Sequence, residues 1–234
     1  MDDRTFDKET ALEWISTIEN DNSTIRDRDI YPRLNEWIGR TSPVEILEVG
    51  AGQGICSDNI DLAGRCYTGV DPSSFLIDRA KQLYSQKNRH FEMGNAYSLP
   101  FLDNVFDSAF SVMVWHFLSN LQKASDELSR VLKPNGNFLI ITANPESYNL
   151  WIGLYTDIKI EGRRFEGKMQ ILGRPASHDI LYLHTLTEIT NSLYSAGLNV
   201  QSIETFRITE SSKDQKFLIS ISGQRVKESG SKKE

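Results

Sequence analysis

The sequence predicts an α/β protein built on a largely parallel sheet, and three observations carry that prediction. From residue 44 onward short apolar runs alternate with helical segments, the pattern of βαβ units. The first of these runs enters glycines on alternate positions, Gly50, Gly52 and Gly54. The last two runs, 200–206 and 217–222, are joined by the polar stretch 209–215, too short for a crossover helix, so they form an antiparallel hairpin.

In chain order, Phe6, Leu12, Trp14, Ile15 and Ile18 recur at near-helical spacing, and Ile30, Leu34, Trp37 and Ile38 do so again after the polar break Asn20-Asp21-Asn22-Ser23. Residues 1–40 therefore read as helices beside the sheet. Strands are predicted over 44–49, 66–70, 90–93, 108–114 and 137–142. A helix over 73–86 carries Phe75, Leu76, Ala80, Leu83 and Tyr84 on one face, and one over 120–132 carries Leu121, Ala124, Leu128 and Leu132. Pro134-Asn135-Gly136 breaks the second helix and turns the chain into the fifth strand. After Asn144-Pro145 comes an aromatic and Arg-rich insertion without a clean period, expected to cover the sheet's C-terminal edge, and then a helix over 187–196. Residues from 224 onward read as a frayed tail.

Composition narrows the function. With 234 residues, 39% hydrophobic and 25% charged, the chain has the make-up of an ordinary single domain with room for a large core. Its 26 Lys+Arg against 32 Asp+Glu leave a net charge of −6, without the basic footprint of a nucleic-acid binder. Cys56 and Cys66 lie in no CxxC or Cys/His cluster, so they read as reduced, buried thiols and no metal site is expected. The acidic N-terminus lacks the apolar core of a secretory signal, and no stretch approaches the roughly 20 apolar residues of a membrane span. A cytoplasmic protein with no membrane partner is expected. The hydrophobic positions are accounted for by a monomer's core and carry no sign of oligomeric state.

The most informative segment is Ile46-Leu47-Glu48-Val49-Gly50-Ala51-Gly52-Gln53-Gly54-Ile55. Glycine after a strand lets the backbone turn tightly and lets a ligand approach the peptide plane. A nucleotide-like ligand is implied. Dinucleotide sites space their glycines G-x-G-x-x-G around a pyrophosphate; this chain has G-x-G-x-G, and Glu48 just before it would repel a phosphate. A carboxylate there suits a cationic group, such as the amino group of an amino acid. The second strand ends in Gly69-Val70-Asp71-Pro72, and an acid at that strand end can accept hydrogen bonds from both ribose hydroxyls.

Together with Gly94-Asn95-Ala96 after the third strand, Phe106-Asp107 leading the fourth, and Arg130-Val131-Leu132-Lys133-Pro134-Asn135-Gly136 before the fifth, these residues resemble the class I methyltransferases that use S-adenosylmethionine, and among them the small-molecule subgroup. The resemblance covers residues 40–145 and, by topology, the terminal hairpin. It implies a Rossmann-like seven-stranded sheet in the order 3-2-1-4-5-7-6, last strand antiparallel, with helices on both faces and the ligand at the C-terminal edge. It further implies a helical lid over 1–40, a methyltransferase domain over 41–223 with a substrate cap inserted at about 145–185, and a flexible tail over 224–234. With S-adenosylmethionine as cofactor, the implied binding residues are Glu48, Gly50, Ala51, Gly52, Gln53 and Gly54 at the methionine moiety and Asp71 with Pro72 at the ribose. Asn95 and Ala96 would flank the adenine, with Met113 and Arg28 completing the pocket. The family often has an acid at the position of Asn95, whose amide still offers an acceptor to the adenine amino group.

The acceptor side is carried by His116, which follows the fourth strand where the family's substrate meets the methyl group. Histidine titrates near neutral pH and can take a proton from an attacking hydroxyl or ammonium; the same position also suits a packing residue that caps the next helix. Tyr31, Trp115, Trp151, Tyr155 and Arg163 are candidates for substrate contact, each with a packing or surface reading beside it. Val114-Trp115-His116 stands where amine-methylating relatives carry Asn-Pro-Pro-Tyr, which disfavours adenine and glutamine amide as acceptors. A small-molecule acceptor methylated at oxygen or nitrogen is expected, with carbon open. A non-catalytic cofactor-binding protein is the alternative, and a nicotinamide oxidoreductase is opposed by the glycine spacing and the hairpin.

Overall fold

The structure, a computed structural model, describes residues 11–12, 15–16, 25–170, 177–206 and 216–226. The expected helix carrying Phe6, Trp14 and Ile18, the hairpin loop over 209–215 and residues 227–234 lie outside the described residues. A π-helical turn, Arg26–Ile30, runs into α1 (Tyr31–Thr41) and then β1 (Glu45–Val49). The one-turn α2 (Cys56–Asn59), β2 (Cys66–Asp71), α3 (Ser74–Tyr84), β3 (Arg89–Met93) and β4 (Phe106–Val112) follow. A 3-10 turn, Trp115–Phe117, leads to α4 (Leu121–Val131) and β5 (Leu132–Ala143). Next come α5 (Tyr148–Ile152), β6 (Tyr155–Glu161), β7 (Arg164–Met169) and β8 (Ser177–Tyr182), and last α6 (Leu186–Ser195), β9 (Leu198–Phe206) and β10 (Leu218–Arg225).

The main sheet has seven strands in the order β3-β2-β1-β4-β5-β10-β9. The first five are parallel, and β10 runs antiparallel to both β5 and β9. With β9 and β10 counted as sixth and seventh, this is the expected order.

Strand alternation divides the core between the two faces. Leu47 and Val49 of β1 pack with Leu121, Ala124 and Leu128 of α4 and Ile189 and Leu193 of α6. Ile46, one residue out of phase, packs with Leu34 and Ile38 of α1 and Ile77 and Ala80 of α3. Glu48 shares the Ile46 face, so the pleat alone buries it.

Helix starts follow side-chain caps. Ser73 Oγ accepts from Leu76 N–H, Asn120 Oδ1 from Lys123 N–H, and Thr185 forms a reciprocal capping box with Glu188. Two family-like motifs turn out to serve the scaffold. Asp107 Oδ2 accepts from Val44 N–H (3.1 Å) and Glu45 N–H (2.9 Å), and its Oδ1 accepts from Lys133 Nζ (2.6 Å), so it ties β1, β4 and β5 at the end remote from the glycines. Pro134-Asn135-Gly136 does not separate helix from strand; β5 already begins at Leu132, and the three residues bulge out between the Phe106↔Leu132 and Ser108↔Asn137 pairs, with Asn135 at φ 63°.

The insertion forms an antiparallel sheet of its own, β6-β7-β8. Tyr155, Phe165 and Leu181 make its core and pack against Phe117 of the turn after β4. Its periodicity is hidden in the sequence by a register shift between Thr156 and Lys159, where Asp157 takes φ 52°. β10 extends through Gln224 and Arg225, paired to Asn199 and Leu198 of β9, past the point where the tail was expected.

Candidate functional site

The glycine loop after β1 is shaped by backbone conformation. Gly50, Gly52 and Gly54 have φ of 80°, 55° and 82°, a region costly to side chains. Gly50 N–H and Ala51 N–H both donate to Val70 O, at 2.7 and 2.9 Å, which folds the loop against the end of β2. A Cβ at Gly50 would lie 2.2 Å from Val114 Cγ2, so the segment after β4 closes over the loop.

Asp71 ends β2 with its carboxylate buried and committed to that loop. Gly52 N–H donates to Oδ2 and Ser73 N–H to Oδ1, both at 2.9 Å. Burial raises its pKa to about 6, against the pull of those two amides. An ionised carboxylate can accept about four hydrogen bonds, so lone pairs remain for a vicinal diol. Pro72 follows on the surface.

Glu48 is fully buried in a polar cluster beneath the loop. It accepts from Tyr67 Oη and from the Cys56 thiol, and burial raises its pKa to about 7. Tyr31 from α1 and Arg26 from the preceding turn act electrostatically on the same cluster. Tyr31 Oη and Gln53 Oε1 are buried without a hydrogen-bond partner among the described residues, although both residues are almost fully enclosed. A donor and an acceptor left open beside a glycine loop and a carboxylate are what an amino-acid group carrying an ammonium and a carboxylate requires. The residues present therefore fit the methionine and ribose parts of S-adenosylmethionine.

A stability consequence follows from Glu48. Its carboxyl titrates near 4.5 in the unfolded chain and near 7 in the native one, so the native state retains a proton across that window and stability falls as pH rises through it. Glu48→Gln is expected to melt higher than wild type at pH 8, by on the order of 3 kcal/mol, with no gain at pH 4.5. Thermal melts at the two pH values check this, and an unchanged melting point at pH 8 would refute it.

His116 lies in the 3-10 turn after β4, 6% exposed, with Nδ1 2.9 Å from Thr142 Oγ1 and its ring against Phe117. Burial lowers its pKa to about 3, so the ring is neutral at physiological pH. The structure thus opposes His116 as a proton acceptor, because the imidazolium it would become is buried with no carboxylate partner among the described residues. Met113, at φ 59°, turns the chain out of β4 just before it, a strained conformation for a residue with a side chain.

The other candidates are drawn elsewhere. Trp115 is packed into the core, where with Val49, Ala96, Leu99 and Ser111 it lines an apolar cavity of about 10 Å³. Trp151 is buried with its indole N–H on Phe217 O at 2.9 Å. Tyr155 Oη donates to Asp179 Oδ2 (2.9 Å) within the small sheet. Arg163 is exposed and pairs with Glu188 at the start of α6. Arg28 pairs with the neighbouring Asp29 at 2.6 Å. Asn95 is exposed and its Oδ1 accepts from Tyr97 N–H (2.9 Å), so the carbonyl reserved for an adenine amino group is used in the turn itself. Cys66 is only half-buried, unlike Cys56. Sequence reading missed Tyr67, Gly69 and Val114. Gly69 is needed because a Cβ there would stand 2.7 Å from Ala51 in the glycine loop and 2.9 Å from Tyr67 Oη of its own strand. Among the described residues no His, Cys, Asp and Glu group could hold a metal ion, and no helix is long and apolar enough to cross a membrane.

Residues 47–140 match the family model described as a methyltransferase domain. The chain is 32% identical over 106 residues to a demethylmenaquinone methyltransferase of Tropheryma whipplei, covering 45% of this chain and 44% of that protein. It is 33% identical over 102 residues to a fatty-acid O-methyltransferase of Mycolicibacterium smegmatis, covering 43% of this chain and 37% of that protein. The chain spans less than half the length of the curated relatives it matches. The solved structure of an S-adenosylmethionine-dependent methyltransferase from Clostridium acetobutylicum superposes at a TM-score of 0.69 and 14% identity, over 92% of this chain and 99% of that one, a likeness of fold.

Proposed function

We propose that this chain, whose residues 47–140 match a methyltransferase-domain model and whose fold resembles that of S-adenosylmethionine-dependent methyltransferases, binds S-adenosylmethionine and transfers its methyl group to an oxygen or nitrogen of a small molecule. The observation that carries the reading is the joint between the glycine loop and Asp71: one hydrogen bond, Gly52 N–H to Asp71 Oδ2, holds an amino-acid cradle and a diol acceptor in fixed relation. Glu48, Gln53 and Tyr31 would hold the amino-acid end, Asp71 the ribose, and Ala96 with the backbone of Asn95 the edge of the adenine. The cofactor supplies a methyl group already activated on a sulfonium, so the chain's part is alignment and exclusion of water.

His116 acts in this reading as a neutral hydrogen-bonding group that orients the acceptor, with Thr142 fixing its ring. Its low proton affinity leaves the acceptor's proton to solvent or to the acceptor's own chemistry. The β6-β7-β8 sheet, packed against Phe117 beside His116, is the cap over the acceptor. The fatty-acid O-methyltransferase relative supports oxygen as the receiving atom.

Calorimetric titration with S-adenosylmethionine, with NADH as control, tests the cofactor site. Micromolar binding of the first and none of the second is expected. Screening of small acceptors with radiolabelled methyl donor then tests the reaction. Binding without transfer to any acceptor would favour a non-catalytic cofactor-binding role, and no binding would sink the assignment.

A further inference from the structure

We infer that α4 clamps the segment between β3 and β4, and that Tyr97 and the Glu127–Arg130 pair are positioning residues for the adenosine end of the cofactor. The inference rests on the cofactor site proposed above. None of the three side chains belongs to that proposed site; they act through the backbone of residues 94–101.

The clamp has two jaws. At the start of α4, Tyr97 Oη accepts from Ser119 N–H (2.8 Å) and Asn120 N–H (3.3 Å), amides that precede the helix and have no partner within it. At the last turn of α4, Arg130 reaches back with a full fork. Its Nη1 donates to Phe101 O (2.7 Å) and Asp103 Oδ1 (2.8 Å), and its Nη2 to Leu99 O (3.0 Å). Nε and Nη2 also donate to Glu127 at 2.7 and 2.8 Å, while Glu127 Oε2 accepts from Leu99 N–H at 2.7 Å. Leu99 is therefore held at both its N–H and its C=O by one ion pair. A lysine could supply the charge but not this planar set of donors.

The hold is passed on by packing. A Cβ on Gly94 would lie 2.7 Å from Pro100 Cδ, so Pro100 sits directly against Gly94. Gly94 N–H in turn donates to Asp71 O at 3.1 Å. Between them Asn95 closes its turn on Tyr97 N–H and Ser98 N–H donates to Asn95 O at 3.1 Å. The chain from α4 through Leu99, Pro100 and Gly94 to Asp71 consists of hydrogen bonds and one tight contact. One lone pair of Asn95 Oδ1 is taken up in the turn, so the shape of this backbone fixes how Asn95 and Ala96 are presented. A segment ordered before binding saves the ligand the cost of ordering it.

The test compares Tyr97→Phe and Arg130→Lys with wild type and with Asp107→Ala, which weakens the scaffold at the opposite end of the sheet. Calorimetry gives affinity for S-adenosylmethionine and for adenosine alone, and hydrogen exchange without ligand reports on the amides of residues 94–101. Both clamp variants are expected to bind either ligand about 10-fold more weakly and to exchange faster in that segment. Asp107→Ala is expected to bind as wild type does at a similar loss of melting temperature. Unchanged affinity in both clamp variants, or an equal loss in Asp107→Ala, would overturn the positioning role. Failure of the wild type to bind would overturn the cofactor reading and this role with it, a result separable from the first because it precedes any substitution.

Discussion

Asp71→Ala is expected to weaken S-adenosylmethionine binding by at least about 100-fold, measured by calorimetry against the wild type. The carboxylate has two jobs that alanine removes together. It anchors Gly52 N–H and Ser73 N–H at 2.9 Å, and in the proposed site its remaining lone pairs would accept from the ribose diol. Hydrogen bonds to a charged group contribute about 1.5–3 kcal/mol each, and losing two reaches the expected factor. Asp71→Asn keeps one acceptor and should lose roughly 10-fold. The pH dependence gives a second readout. Because burial lifts the native carboxyl to about 6, wild-type affinity should weaken progressively as pH falls below that value, and the Asp71 component of that slope should vanish in Asp71→Asn. Wild-type affinity in Asp71→Ala would remove the ribose role.

Gly50→Ala should damage fold and binding at once. The residue has φ 80°, where a side chain costs about 1–2 kcal/mol, and its new Cβ would sit 2.2 Å from Val114 Cγ2, which cannot be tolerated without movement. A fall in melting temperature of about 10 °C and loss of detectable cofactor binding are expected. The two causes can be separated. Val114→Ala deletes the colliding methyl groups but leaves the backbone strain, so the double variant should recover part of the melting temperature. No recovery would mean that the strain, not the closure of the β4 end over the loop, governs this position.

Much of the fold is legible because local rules and long-range packing agree. Caps at Ser73, Asn120 and Thr185, the alternation of Ile46 and Leu47, and the glycines after Val49 each determine a local geometry without knowledge of partners. The small sheet β6-β7-β8 is not legible, because the irregular turn at Asp157 breaks the period and β6 and β7 carry charges of alternating sign at every second position. Pro134-Asn135-Gly136 misled for a related reason: a break in helical propensity marks where one element stops, but a neighbouring strand decides whether the next has already begun. In the candidate site, Asp71 and the glycines could be found by spacing. Tyr67, Val114 and Thr142 could not, since each acts on a residue at least 19 positions away in sequence.

The sequence by itself determined the class of fold, the glycine loop and the acid at the end of β2, because these depend on backbone conformation and short spacings. The tertiary structure alone decided the electrostatic character of the site. It buries Glu48 under Tyr67 and Cys56, lifts Asp71 to about 6 and holds His116 neutral against Thr142. Proton affinity depends on which groups from other strands exclude water and which donate hydrogen bonds, and that information appears only when the strands come together.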